Sequence, residues 1–176
     1  MIELIRKRRS IRKYLEKKIE TEKIDIMKEA LLRSPSSRNI KPLQFIIIDD
    51  KKLLIKLSRC KQHGSAFLAD APLAVVVTGD ETLTDVWIED CSIAITFLQL
   101  TAESLGLGSC WIQIRQRGHD ESRTAEEYIS DLLKIPGNYR VEAVVALGYP
   151  AEVKVPVSAE NLDHTKIKNN FWEERT

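Results

Sequence analysis

Apolar residues along this chain recur with two different periods, and the places where the period changes divide it into alternating helices and strands. In TEKIDIMKEALLRS, Ile24, Met27 and Leu31 stand at helical spacing. Thr21 is the expected N-cap, and Pro35 stops the helix after Ser34. LQFIIIDD is rich in β-branched and aromatic residues, which predicts a strand ended by paired aspartates, and DKKLLIKLSRC returns to helical spacing through Leu53, Leu54 and Leu57. After Ala71-Pro72, LAVVVTGD predicts a second strand.

From Asp85 to Leu105 the chain is apolar almost all round in its second half, which predicts a central helix buried on several sides. Gly106 and Gly108 suit the left-handed conformation that ends helices, and SCWIQIR behind them has the residues of a buried strand. Thr124 and Glu127 stand at capping-box spacing ahead of AEEYISDLLKI; Pro136-Gly137-Asn138 then breaks that helix before a fourth strand, YRVEAVVALGYP. The remainder, from Ala151, is polar and extended. Its apolar residues Val155, Leu162, Ile167, Phe171 and Trp172 are too scattered to form a core and need another surface to cover them. Strands mixed with helices indicate an α+β class, and there is neither GxGxxG behind a strand nor GxxxxGK[ST] to signal a Rossmann turn or a P-loop.

Composition narrows the function classes. The 176 residues fit one domain of ordinary size. With 27 basic and 26 acidic side chains, no global field draws the chain to nucleic acid or to an anionic membrane. No stretch is long and uncharged enough to span a bilayer, and the basic start MIELIRKRRS is unlike a secretory leader, so no membrane partner is expected. Cys60, Cys91 and Cys110 form no CxxC or Cys/His pattern, which predicts no metal and a reducing, cytoplasmic setting. His63, His119 and His164 lack partners at triad or ligand spacing and are assigned no catalytic role.

Three segments can carry chemistry. Arg6-Lys7-Arg8-Arg9-Ser10-Ile11-Arg12-Lys13-Tyr14 gathers donors suited to a phosphate or another anion, although most charge runs are simply solvated faces. Pro35-Ser36-Ser37-Arg38-Asn39 offers amides and hydroxyls to a heteroaromatic edge, and is equally a common helix-terminating loop. Gly106-Leu107-Gly108-Ser109-Cys110-Trp111-Ile112-Gln113 presents a wide apolar side chain and strand-edge amides to a flat ligand, though a lone Trp is more often core.

In this order the three segments resemble the nitroreductase family of FMN enzymes, and the likeness runs from RRSIRKY to the GYPAE turn and tail. The resemblance implies a nitroreductase-like fold over residues 1–176. Its central sheet would be mixed but mainly antiparallel, with four to five strands flanked by helices, and a tail from about residue 152 would be exchanged onto the partner of a homodimer. It implies that Arg8, Arg9, Ser10 and Arg12 grip FMN, with Tyr14 closing the motif. Pro35, Ser36, Ser37 and Asn39 would reach the flavin of the partner subunit, and Trp111, Ile112 and Gln113 would lie against the isoalloxazine ring with a backbone amide near N5, leaving Cys110 to packing.

Two departures from the family pattern stand out: Lys41-Pro42-Leu43 replaces Gln-Pro-Trp, and Lys154 is the nearest candidate for a C-terminal basic pair on the phosphate. Only RQRGHDESRTAEE stands where larger relatives carry lids, which implies an open site tolerant of many substrates. The implied activity is ping-pong hydride transfer from NADH or NADPH, through FMN, to a nitroaromatic, a quinone or a similar small oxidant. No catalytic residue is implied beyond electrostatic support, assigned to Arg12 on grounds of charge. The alternatives are a flavin-holding or sensory protein without turnover, and a related flavin reaction such as reductive dehalogenation.

Overall fold

The computed structural model describes residues 1–172. In chain order the helices are α1 (Ile2–Lys7), α2 (Thr21–Leu32), α3 (Lys51–Leu57), α4 (Trp87–Ser104) and α5 (Ala125–Leu133); the strands are β1 (Leu43–Ile48), β2 (Leu73–Asp80), β3 (Gly108–Gln113) and β4 (Tyr139–Gly148). The four strands form one sheet in the order β1-β2-β4-β3. Every strand pair is antiparallel. The expected, mainly antiparallel sheet of four to five strands flanked by helices is thus present with four strands, and its only parallel feature among the described residues is an isolated bridge between Ser10 and Ser109.

The alternation of side chains along the strands builds two cores. Ala74 and Val76 face a cluster with Leu54, Leu57, Leu68 and Ile129, on the side of α3 and α5. Leu73, Val75 and Val77 face Met27, Leu31, Ile95 and Leu98, on the side of α2 and α4. The two inner strands, β2 and β4, are covered on both faces, which explains their nearly continuous apolar runs. Each large aliphatic side chain fully buried this way contributes about 1.5–3 kcal/mol.

Local signals hold with small shifts. The capping box of Thr124 and Glu127 is formed, and Asp50 caps α3 by accepting from the Leu53 amide. The N-cap of α2 is Glu20, whose backbone is extended, rather than Thr21, which is already helical; the Glu20 carboxylate makes no capping bond and accepts from the Tyr149 hydroxyl. Gly106 has the expected left-handed backbone (φ +75°). Gly108 does not: it opens β3, where a Cβ would lie 2.8 Å from Cβ of Ile11, so the glycine admits a neighbouring chain rather than a turn. The central helix α4 is also less enclosed than expected. Cys91, Ala94, Ile95 and Leu98 are fully covered, yet Ile93 and Phe97 on the opposite side remain exposed.

Candidate functional site

The site is organised around β3, an edge strand. The Ile114 amide donates to Glu142 on β4, so by antiparallel alternation the backbone groups of Ser109, Trp111 and Gln113 point away from the sheet. Two contacts agree with this direction: the Ser109 carbonyl accepts from the Ile11 amide at 3.0 Å, and the Gln113 carbonyl accepts from Nζ of Lys61 at 3.1 Å. Between these clamps lies a short open window of strand edge at Trp111.

One clamp is the N-terminal segment. Ser10 bridges Ser109 and Tyr14 bridges Pro150, while Ala151 donates to the Lys13 carbonyl at 2.8 Å. The Tyr14 hydroxyl, buried, donates to the Ile11 carbonyl at 2.6 Å, and burial raises its pKa. The segment is therefore held along the start of β3 and the end of β4. The Arg12 amide donates to Oε1 of Glu152 at 2.7 Å, and Oε2 of Glu152 pairs with Lys154 at 3.0 Å, which brings Lys154 to the same corner. The Arg12 amide first, then Lys154, lower the pKa of Glu152.

The charge here is unbalanced. Arg6 and Lys7 pair with Glu3 and Glu103, whereas Arg8, Arg9 and Arg12 form no ion pair among the described residues. Arg12 also stacks over Phe67, 5.9 Å from the ring centroid. Burial pushes the Cys110 thiol above its ordinary value against the pull of Arg12, Ser10, Arg8 and Lys61, so it stays a packed, neutral thiol inside this cationic corner. Burial also lowers the pKa of Lys61. Guanidinium groups without a counter-ion beside an open strand edge are suited to an anionic, planar ligand with hydrogen-bonding edges.

The loop Pro35–Asn39 is anchored elsewhere. The Ser37 amide donates to Oδ1 of buried Asp90 in the first turn of α4, at 2.9 Å, and the Lys41 amide donates to Oγ of Ser36. Arg38, Asn39 and Lys41 all have positive φ, a tightly folded turn. Ser109 meets α4 at Gln99 instead. Nine residues of helix separate Asp90 from Gln99, a rise of about 14 Å.

Of the residues expected from the sequence, one chain thus brings Arg8, Arg9, Ser10, Arg12 and Lys154 to the β3 segment Trp111, Ile112 and Gln113. Ile112 itself is buried in the α3/α5 core and contributes packing. The chain anchors Pro35, Ser36, Ser37 and Asn39 apart from that corner. Sequence reasoning missed Lys61, Asp90 and Glu142. Glu142 carried a visible signal, a lone carboxylate inside an apolar strand; Asp90, next to Glu89 in the acidic first turn of α4, and Lys61 carried none. Among the described residues no cluster of three His, Cys, Asp or Glu side chains could hold a metal, and no helix is long and apolar enough to cross a membrane.

Comparison with known proteins agrees with this geometry. The family model described as the Nitroreductase family matches residues 5–63 and 57–149. A protein of Methanothermobacter thermautotrophicus, provisionally named NADH dehydrogenase/NAD(P)H nitroreductase, is 37% identical over 175 residues, covering 98% of this chain and 87% of that protein. The solved FMN-dependent nitroreductase from Clostridium difficile R20291 matches with a TM-score of 0.96 at 46% identity, over 98% of this chain and 100% of that one. The NADPH:FMN oxidoreductase from Vibrio harveyi, solved in complex with NAD+, matches with a TM-score of 0.83 at 25% identity, over 99% of this chain and 79% of that one.

Proposed function

Because the chain belongs to the nitroreductase family, we propose that it is an NAD(P)H-dependent flavin oxidoreductase that holds FMN between two copies of itself. The observation that carries this reading is the set of unpaired guanidinium groups beside the open edge of β3. Arg8 and Arg9, with Ser10 and Lys154, are suited to the phosphate and ribityl chain. Arg12 and Lys61 place positive charge where the pyrimidine edge would lie, and the outward amides near Trp111 and Gln113 face the ring. The chemistry that FMN supplies when bound is two-electron transfer at N5, taken from NADH or NADPH and passed to a small oxidant that enters after the nicotinamide leaves, a ping-pong cycle. The protein's part is to bind, orient and keep charge in place, so no nucleophile or acid/base dyad is required of it.

The partner copy completes the site with the loop Pro35, Ser36, Ser37 and Asn39. Support for a homodimer comes from surface that one chain leaves bare. Phe97 is 42% exposed on α4 and, with Met1, Leu4 and Leu100, lines an apolar cleft of about 200 Å³. Along the tail Val153 is 95% exposed, with Val155, Val157, Leu162, Ile167, Phe171 and Trp172 also uncovered. The final four residues of the expected tail lie outside the described residues. Val153, Val155 and Val157 alternate as a strand does, and the outer edge of β1, where Phe45, Ile46 and Ile47 are only half covered, is a fitting unpaired edge in a partner. The whole chain then acts as one domain, and three buried free cysteines suit a cytoplasmic setting.

The test is optical. Purified protein should be yellow, or become so with FMN, and should bleach anaerobically with NADH or NADPH and recover with a quinone or a nitroaromatic. Protein that stays colourless in excess FMN overturns the proposal; bound FMN that neither nicotinamide bleaches favours a flavin-holding protein without turnover.

A further inference from the structure

Glu142 is an extra residue in β4. Val77 pairs with Ala143 and Thr78 with Val141, so Glu142 falls between them as a β-bulge, a device that re-aims a side chain. Its Oε1 accepts from Nε2 of Gln113 at 3.0 Å. Oε1 of Gln113 accepts from the Trp111 indole Nε1 at 2.8 Å, and Nε2 also donates to the Arg115 carbonyl at 3.3 Å. An indole N–H can only donate and a carboxylate only accept, so the carboxamide between them has a single orientation. The Gln113 side chain is committed inside the protein, and β3 offers only backbone at its outer edge near this residue.

Glu142 is 4% exposed, and its Oε2 has no hydrogen-bond partner among the described residues. A buried carboxylate oxygen left unpaired destabilises a fold, whereas apolar groups of the same shape in place of such a pair are often neutral or better. Stability does not account for a glutamate at this bulge.

We propose that Glu142 is a positioning residue: through Gln113 and Trp111 it fixes the stretch of β3 edge that faces the flavin. This rests on the flavin reading above, and the two can fail separately. The test compares Glu142→Leu with Glu142→Gln; glutamine keeps an acceptor for Gln113 without the charge, and leucine removes both. In FMN-free protein, the indole ¹⁵N–¹H resonance of Trp111, one of three tryptophans, reports whether its N–H is held. Glu142→Leu should shift that resonance and slow anaerobic flavin reduction by NADH or NADPH about tenfold at saturating FMN. Glu142→Gln should return both signals close to those of the wild type. An indole resonance that does not move in Glu142→Leu overturns the proposal, and so does one that moves while flavin reduction keeps its wild-type rate. Should leucine prevent folding, Gln113→Met breaks the same chain at its middle and is judged by the same two signals. If wild-type protein takes up no FMN, the flavin reading falls, and the indole response alone decides whether Glu142 is a brace.

Discussion

Residues 10–14 and residues 153–172 both lack long regular structure, and the molecule treats them in opposite ways. The first stretch is bridged at Ser10 and Tyr14, bonded through Ile11 and Lys13, and has Ile11 and Tyr14 each only 8% exposed. Glycines at 108 and 148 leave room for it: a Cβ on Gly148 would lie 2.8 Å from Cδ1 of Tyr14. The second stretch is exposed at every described residue. The difference lies in whether the chain itself supplies the covering surface. Where it does, Ser10–Tyr14 is held in place; where it does not, the apolar residues are left uncovered, and the second copy of the proposed homodimer would cover them.

The strongest way to break this contrast is to remove the uncovered stretch. A chain ending at Glu152 should be monomeric by light scattering and should fail to retain FMN on gel filtration; a stable dimer would show that the tail is not the clasp. Next, Gly108→Val drives a branched side chain into Ile11. It should destabilise the fold by about 1–3 kcal/mol in urea denaturation and weaken FMN binding, because it lifts the arginine segment off β3. Arg12→Ala should slow flavin reduction by about 10–100-fold in stopped-flow, at nearly unchanged melting temperature, since its side chain is exposed.

The smallest effect concerns pH. The Tyr149 hydroxyl first, and Lys17 further down, hold Glu20 at a pKa of about 2, against an ordinary 4.5. A depressed carboxylate contributes stability that is present above its unfolded pKa and lost as pH falls through the folded one. Unfolding followed between pH 5 and pH 2 should therefore steepen in the wild type relative to Glu20→Gln, and identical curves would remove this contact from the account.

Much of the fold was legible because it follows from periodicity. The run VEAVVALG reads as a strand since both its faces are buried, and Thr124-x-x-Glu127 caps α5 as its spacing requires. What was not legible depends on long-range contact. Gly108 is explained by Ile11, nearly a hundred residues away in sequence, and not by a turn. The short helix α1 buries no residue, so it left no apolar period to find. The donors of RRSIRKY and the Trp111 segment were recognisable, but Lys61 joins them only because the chain folds back to the Gln113 carbonyl. Glu142 matters through a bulge, which a period of two does not reveal.

The central claim is a flavin site assembled from Arg8–Arg12 of one copy and Pro35–Asn39 of the other. Its most direct test is complementation between two damaged chains, Arg8→Ala/Arg12→Ala and Ser36→Ala/Asn39→Ala, each of which should bind FMN poorly as a homodimer. A mixed dimer has one site carrying both sets of lesions and one carrying none. It should bind a single FMN with wild-type affinity and show half the wild-type reductase activity. A mixed dimer no better than either parent would mean that both segments act within one chain, and would contradict the account.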